Sequence, residues 1–286
     1  MKHLPVFTLA LLITAGSLQA QEAPQPPPEP PPPPPPVQAL APLAPVQALT
    51  PAKAERPLSA TGTVEIHLFS GSIKLIGWEE TRVEVSGRVG GGVDNLLIDG
   101  GEDRVVINVK PDGETYGLPE ANLEVRVPSK GRVLVEIING SIKTEGLAGR
   151  VSLESVNGSI NISGIPREVE ISAVNGTITL EGDGSMAEGT LETVSGDINV
   201  RMDIRPGASL EISTVSGSID LQIPKESGVE FDVETFSGKV EYELGPKPTC
   251  SSCSFMPSQQ LNFTLGDGGA YASLSTFSGS IHIRGL

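Results

Sequence analysis

Apolar and polar residues alternate in short runs through most of the chain, and the phase of the alternation shifts once in each run. In the clearest stretch Leu210, Ile212 and Thr214 share one parity, while Val215, Gly217, Ile219, Leu221 and Ile223 share the other. Side chains of a strand alternate between faces. Both sets can face one core only if the chain bulges or turns a corner between Thr214 and Val215. The same shift separates Ser155 from Val156, Ala173 from Val174, Thr235 from Phe236, Leu68 from Phe69 and Thr276 from Phe277. Each unit therefore reads strand, corner, strand, turn.

A small polar residue and a glycine mark every corner. The glycines are Gly71, Gly140, Gly158, Gly176, Gly196, Gly217, Gly238 and Gly279, and those from Gly140 to Gly238 recur at spacings of 18, 18, 20, 21 and 21 residues. A fixed period of this length marks a repeat architecture whose neighbouring units share one core. The expected fold is all-β: a β-solenoid-like stack of about eight two-stranded rungs. At ~4.8 Å between strands it would be roughly 40 Å long. The glycines take the structural corners, where unusual dihedrals are needed, and Asn139, Asn157 and Asn175 are placed to form a side-chain amide ladder.

Residues 58–132 are less regular, with Trp78, short strands near Val83, Val106 and Val125, and the run Gly90-Gly91-Gly92. They are expected to form a β cap at the N-terminal end, which a repeat stack needs against end-to-end association. The last two corner glycines are 41 residues apart. The segment from Pro246 to Pro257 between them is expected at the tip of a protruding hairpin.

Residues 1–20 read as a signal peptide: Lys2, an apolar run from Phe7 to Ala15, and a small residue at Ala20. Residues 21–57 read as a disordered Pro-rich linker, with unbroken proline from Pro30 to Pro36. Residues 58–286 form the repeat domain. The protein is expected in the periplasm, cell envelope or cell surface, with no transmembrane segment in the mature chain. A formal charge of −15 argues against nucleic acid and anionic lipid as partners.

Little points to chemistry. Cys250 and Cys253 form one C-x-x-C, which in an exported protein reads first as a local disulfide. A redox pair would sit at a helix start, and zinc would want four ligands. Outward positions hold Glu154, Glu192 and Glu234, but Ser172 and Ser213 alternate with them and no basic column accompanies them. No catalytic, cofactor-binding or metal residue is assigned.

The segments Ser70-Gly-Ser-Ile-Lys-Leu-Ile-Gly77-Trp78, Val83-Glu-Val-Ser-Gly87 and Leu123-Glu-Val-Arg-Val-Pro128 precede a run of Val-Asn-Gly-Ser-Ile and Val-Ser-Gly-Asp-Ile units. In that order they resemble the bacterial "putative adhesin" domain-of-unknown-function family over about residues 58–286. The resemblance implies an exported β-repeat protein and supplies no site residues. The expected function is a non-enzymatic envelope or surface module, adhesin-like or scaffolding. Its partner would be an unidentified protein or glycan, held on a flat strand face or on the loop from Cys250 to Met256. The alternatives are a polysaccharide-active β-helix enzyme and an envelope-stress or assembly component.

Overall fold

The computed structural model describes residues 50–90, 96–109, 120–184, 186–245 and 259–286. The expected signal peptide, most of the Pro-rich linker, and Cys250 and Cys253 with their loop lie outside these residues.

The described residues are all-β, twenty strands in one hydrogen-bonded sheet with no helix. The first seven are β1 (Thr50–Pro57), β2 (Thr63–Trp78), β3 (Arg82–Val89), β4 (Leu96–Gly100), β5 (Arg104–Val109), β6 (Glu120–Pro128) and β7 (Arg132–Glu145). Shorter pairs follow: β8 (Arg150–Asn157) with β9 (Ile160–Ser163), β10 (Glu168–Asn175) with β11 (Ile178–Glu181), and β12 (Glu188–Ser195) with β13 (Ile198–Arg201). Next come β14 (Ser209–Ser216) with β15 (Ile219–Ile223) and β16 (Val229–Ser237) with β17 (Val240–Tyr242). The last three are β18 (Gln259–Leu265), β19 (Ala270–Ser278) and β20 (Ile281–Gly285).

Their pairings form two ladders. The first runs β4, β5, the front of β2, the front of β7, β8, β10, β12, β14, β19, β16, β18; all its pairs are parallel except the outermost at each end. The second runs β1, β3, β6, the back of β2, the back of β7, β9, β11, β13, β15, β20, β17. It is parallel except for β1 with β3 and β3 with β6. Each unit gives its first strand to one ladder and its second to the other, with the corner glycine between them.

Register is strict because a one-residue slip would turn every side chain to the wrong face. Inward columns therefore stack like on like. Ile66, Val135, Leu153, Ile171, Leu191, Ile212, Leu274 and Val233 form one buried column of the first ladder. Ile73, Ile142, Ile160, Ile178, Ile198, Ile219 and Ile281 form its counterpart in the second. Each such side chain contributes roughly 1.5–3 kcal/mol by leaving water. Gly189 leaves its inward position empty, and the buried Met186 fills it: a Cβ there would lie 2.2 Å from the Met186 sulfur.

The corner differs in detail from the expected one. Thr214 is buried, Val215 and Ser216 are exposed, and burial resumes only at Ile219. The change of face thus falls across Gly217, where φ is +158°, and not between Thr214 and Val215. Val215 thereby faces solvent. At the same corner Thr214 Oγ1 donates to the Gly196 carbonyl of the neighbouring unit at 3.3 Å; Thr276 does so to Gly217 at 3.2 Å and Thr235 to Gly279 at 3.1 Å.

The ends also depart from a simple sequential order. β19 and β20, last in the chain, insert between the β14–β15 and β16–β17 units. At the other end β2 lies between the later β5–β6 and β7. The expected hairpin between β17 and β18 does not form, because β18 pairs antiparallel with β16. Phe263 of β18 stacks on Phe231 at 4.8 Å and meets Tyr242 edge-on at 4.7 Å, covering that end of the core. The last eight residues of the expected linker are a strand: β1 pairs with β3 from Thr50↔Val89 to Pro57↔Arg82. Its prolines gave no strand signal, yet an outermost strand tolerates them because one side needs no ladder donor. At this N-terminal end Trp78 Nε1 donates to the Arg82 carbonyl at 3.0 Å, and the Arg82 guanidinium lies 5.0 Å from the indole centroid.

Candidate functional site

The outer face of the first ladder carries the most unusual surface of the described residues. One residue before each Asn-Gly or Ser-Gly, an apolar side chain points out of the core. In spatial order these are Phe69, Ile138, Val156, Val174, Val194, Val215, Phe277 and Phe236. Phe69 is half-buried and the other seven are 40–56% exposed. Those seven are most of the ten large hydrophobic residues exposed among the described residues, so they are not random scatter. Single exposed apolar residues need no explanation, whereas a contiguous row does.

The geometry of the corner produces this row. Register pairs Asn139 with Asn157, Asn157 with Asn175, Asn175 with Ser195, and onward to Ser216, Ser278 and Ser237. The preceding residues are thereby aligned as well. Phe236 and Phe277 stack at 4.8 Å with planes 6° apart.

Two polar rows flank the apolar one. On the corner side Asn157 Nδ2 donates to Asn139 Oδ1 and Asn175 Nδ2 to Asn157 Oδ1, both at 3.0 Å, the amide ladder the sequence called for. On the other side run His67, Glu136, Glu154, Ser172, Glu192, Ser213, Ser275 and Glu234. This row contains Glu154, Glu192 and Glu234, with Ser172 and Ser213 between them. No Lys or Arg stands in it. At its N-terminal end, the His67–Glu136 contact (2.9 Å), Glu154, Ser172 and apolar Phe69, Ile138, Val156 and Val174 line a depression of about 640 Å³.

Other charged groups lie elsewhere. Arg104 Nε donates to Glu65 at 2.8 Å and holds that carboxyl below its usual range. Lys74 and Lys143, each 3.1 Å from Glu145, do the same there. Burial pushes the Tyr242 hydroxyl up. Among the described residues no three His, Cys, Asp or Glu side chains cluster so as to hold a metal ion. The groups on this face that come nearest to an acid–base set are His67 and Glu136, 2.9 Å apart, with Glu154 next in register. Glu136 has a 61% exposed side chain, and the row around it is open, unlike the desolvated clefts where catalytic carboxyls are tuned.

The eight expected corner glycines form one continuous column. A Cβ on Gly158 would lie 1.6 Å from the Gly140 carbonyl oxygen, and one on Gly279 would lie 1.8 Å from that of Gly217. The position before each corner is Phe, Ile or Val in all eight units; that regularity is legible in the sequence, whereas alternation alone assigns the position to the core.

Residues 62–284 match the family described as Toastrack DUF4097. No curated protein matches the chain. Among solved structures, a "putative adhesin" from Bacteroides fragilis is 10% identical over 83% of this chain and 97% of its own, with a TM-score of 0.41. A "putative adhesin" from Parabacteroides distasonis is 11% identical over 83% and 97%, TM-score 0.39. A "putative lipid binding protein" from the same species is 14% identical over 82% and 96%, TM-score 0.31. Those descriptions belong to those proteins.

Proposed function

Because the chain belongs to the Toastrack DUF4097 family, a domain of unknown function, we propose its task from its own geometry: a non-enzymatic binding module of the cell envelope or surface. The observation that carries this reading is the row of eight apolar side chains on the outer face of the first ladder. A stack that leaves seven of these side chains 40–56% exposed gains only part of their burial energy in folding. The row has the composition of an interface.

The paired ladders read as a β-solenoid-like stack of about eight two-stranded rungs, capped at its N-terminal end by antiparallel strands. Such a body holds its surface side chains at fixed spacing, so little ordering entropy is lost when a partner lands on them. The apparent signal peptide at residues 1–20 supports export, and the following proline-rich residues would serve as a spacer. Cys250 and Cys253 are proposed as a disulfide-closed loop, on the oxidising character of that compartment. No helix of the described residues is long and apolar enough to cross a membrane.

The test is retention of full-length protein on isolated cell envelopes. Saturable retention, reduced by Val156→Ser, Val174→Ser and Val194→Ser together, supports the reading. Absence of saturable retention sinks it.

A further inference from the structure

We infer that the apolar row is a docking surface for a cationic amphipathic helix of a protein partner. This rests on the binding-module reading above and adds the partner's chemistry.

Three observations select that occupant. The first is spacing. One apolar side chain projects per strand, every ~4.8 Å. A helix laid along the row returns its apolar stripe every turn, ~5.4 Å. A strand laid the same way would present same-face residues only every ~6.7 Å. The helix matches best. Eight side chains span roughly 34 Å at the ~4.8 Å strand spacing. That is the length of about 22 helical residues at ~1.5 Å each.

The second is charge. The row beside the apolar one holds Glu136, Glu154, Glu192 and Glu234, with only serines between them, His67 at its N-terminal end and no Lys or Arg. A helix with lysines or arginines bordering its apolar stripe meets complementary charge along its length. A second copy of this chain, itself at −15, would set like charges together. An anionic lipid surface would be repelled for the same reason.

The third concerns the rings. Phe236 and Phe277 stack on each other at 4.8 Å, nearly parallel. Stacking occupies one face of each ring, and a sugar platform needs open faces. That geometry disfavours a glycan.

The experiment uses full-length protein and three synthetic peptides of about 22 residues, the length derived above. The first has Leu at i, i+3, i+4 and i+7 with Lys elsewhere; the second replaces each Lys by Glu; the third keeps Lys and replaces each Leu by Gln. Fluorescence anisotropy is read at low and physiological salt. The Lys/Leu helix should bind at least tenfold tighter than either control. Val156→Ser/Val174→Ser/Val194→Ser should weaken it tenfold or more. Glu136→Gln/Glu154→Gln/Glu192→Gln should weaken it and flatten its salt dependence, with unfolding midpoints of both triple variants near wild type. Equal binding of the Glu/Leu or Lys/Gln peptide overturns the inference, as does binding that ignores the valine variant. So does wild-type self-association that disappears in the valine variant, since the row would then be an interface between copies. Wild-type protein retained on envelopes but indifferent to the Lys/Leu helix would overturn this inference and leave the binding module standing. Absent envelope retention would remove the module reading itself.

Discussion

Gly158 sits so close beneath Gly140 that a methyl group on the first would lie 1.6 Å from the carbonyl oxygen of the second. Its φ of +148° is also in the region that residues with a Cβ avoid. Backbone packs on backbone through this column, and no side-chain rotation relieves a clash there. Gly158→Ala should therefore destabilise the domain by about 3 kcal/mol or more, overpacking adding to dihedral strain. Chemical denaturation of the full-length protein measures this, and a loss under about 1 kcal/mol would contradict the backbone contact.

Asn157 stands mid-ladder, donating to Asn139 and accepting from Asn175, both at 3.0 Å. Asn157→Ala removes both bonds and should cost about 1 kcal/mol, given the exposure of the row. Asn157→Asp keeps the acceptor for Asn175 but turns a carboxylate oxygen toward the Asn139 oxygen. At neutral pH it should be worse than alanine, and the difference should shrink as the pH falls and the carboxyl protonates. Thermal melts of the two variants across pH decide it.

Two positions of β10, three residues apart, should respond very differently. Ile171 is buried in the core column, whereas Val174 is 41% exposed. Ile171→Ala should cost about 2–5 kcal/mol, and Val174→Ala under about 1 kcal/mol. Similar losses at both sites would mean that the outer row is structural.

Acid should weaken one exposed charge cluster in a defined direction. The Glu145 carboxyl is held below the usual value of 4.5, first by its hydrogen bond to Lys74 and then by that to Lys143. A carboxyl lowered in the folded state contributes stability above its unfolded value, lost as pH falls through the folded one. Glu145→Gln should thus lower stability slightly at neutral pH and reduce the loss seen on acidification below about 4.5. An unchanged acid limb would show that the lysines do not hold this carboxyl in solution.

Phe263→Ala should open the C-terminal end. Its ring covers Phe231 and abuts Tyr242, so its loss should cost about 2–3 kcal/mol and loosen β18. The bared edge of β16 would then invite pairing between molecules, visible as concentration-dependent association in sedimentation.

Much of this fold is written in local pattern. Gly140, Gly158, Gly176 and their equivalents announce the corners because only glycine fits there, and the Asn139, Asn157 and Asn175 period foretold their hydrogen bonds. The face of Val215 was not legible. A valine beside a corner satisfies a core parity as well as an outward one, and only the position of the turn at Gly217 decides between them. The position of β19 between β14 and β16 was equally hidden. Every unit offers the same inward face and the same ladder of donors and acceptors, so pattern alone does not name a strand's neighbour. Pro51 and Pro57 masked β1 for a different reason: their compatibility with a strand depends on its being outermost, a tertiary fact.

The inserted positions of β2 and of the β19–β20 pair bear on how such a molecule could change length. A unit appended after β20 would find its place already taken by β16 and β17, and one placed before β2 would meet β5 and β6. New units have room between β7 and β14, where units consecutive in the chain are neighbours in the ladders. A longer descendant would arise by duplication within that middle stretch, and its docking row would lengthen by one apolar side chain per added unit while both tips stayed as they are.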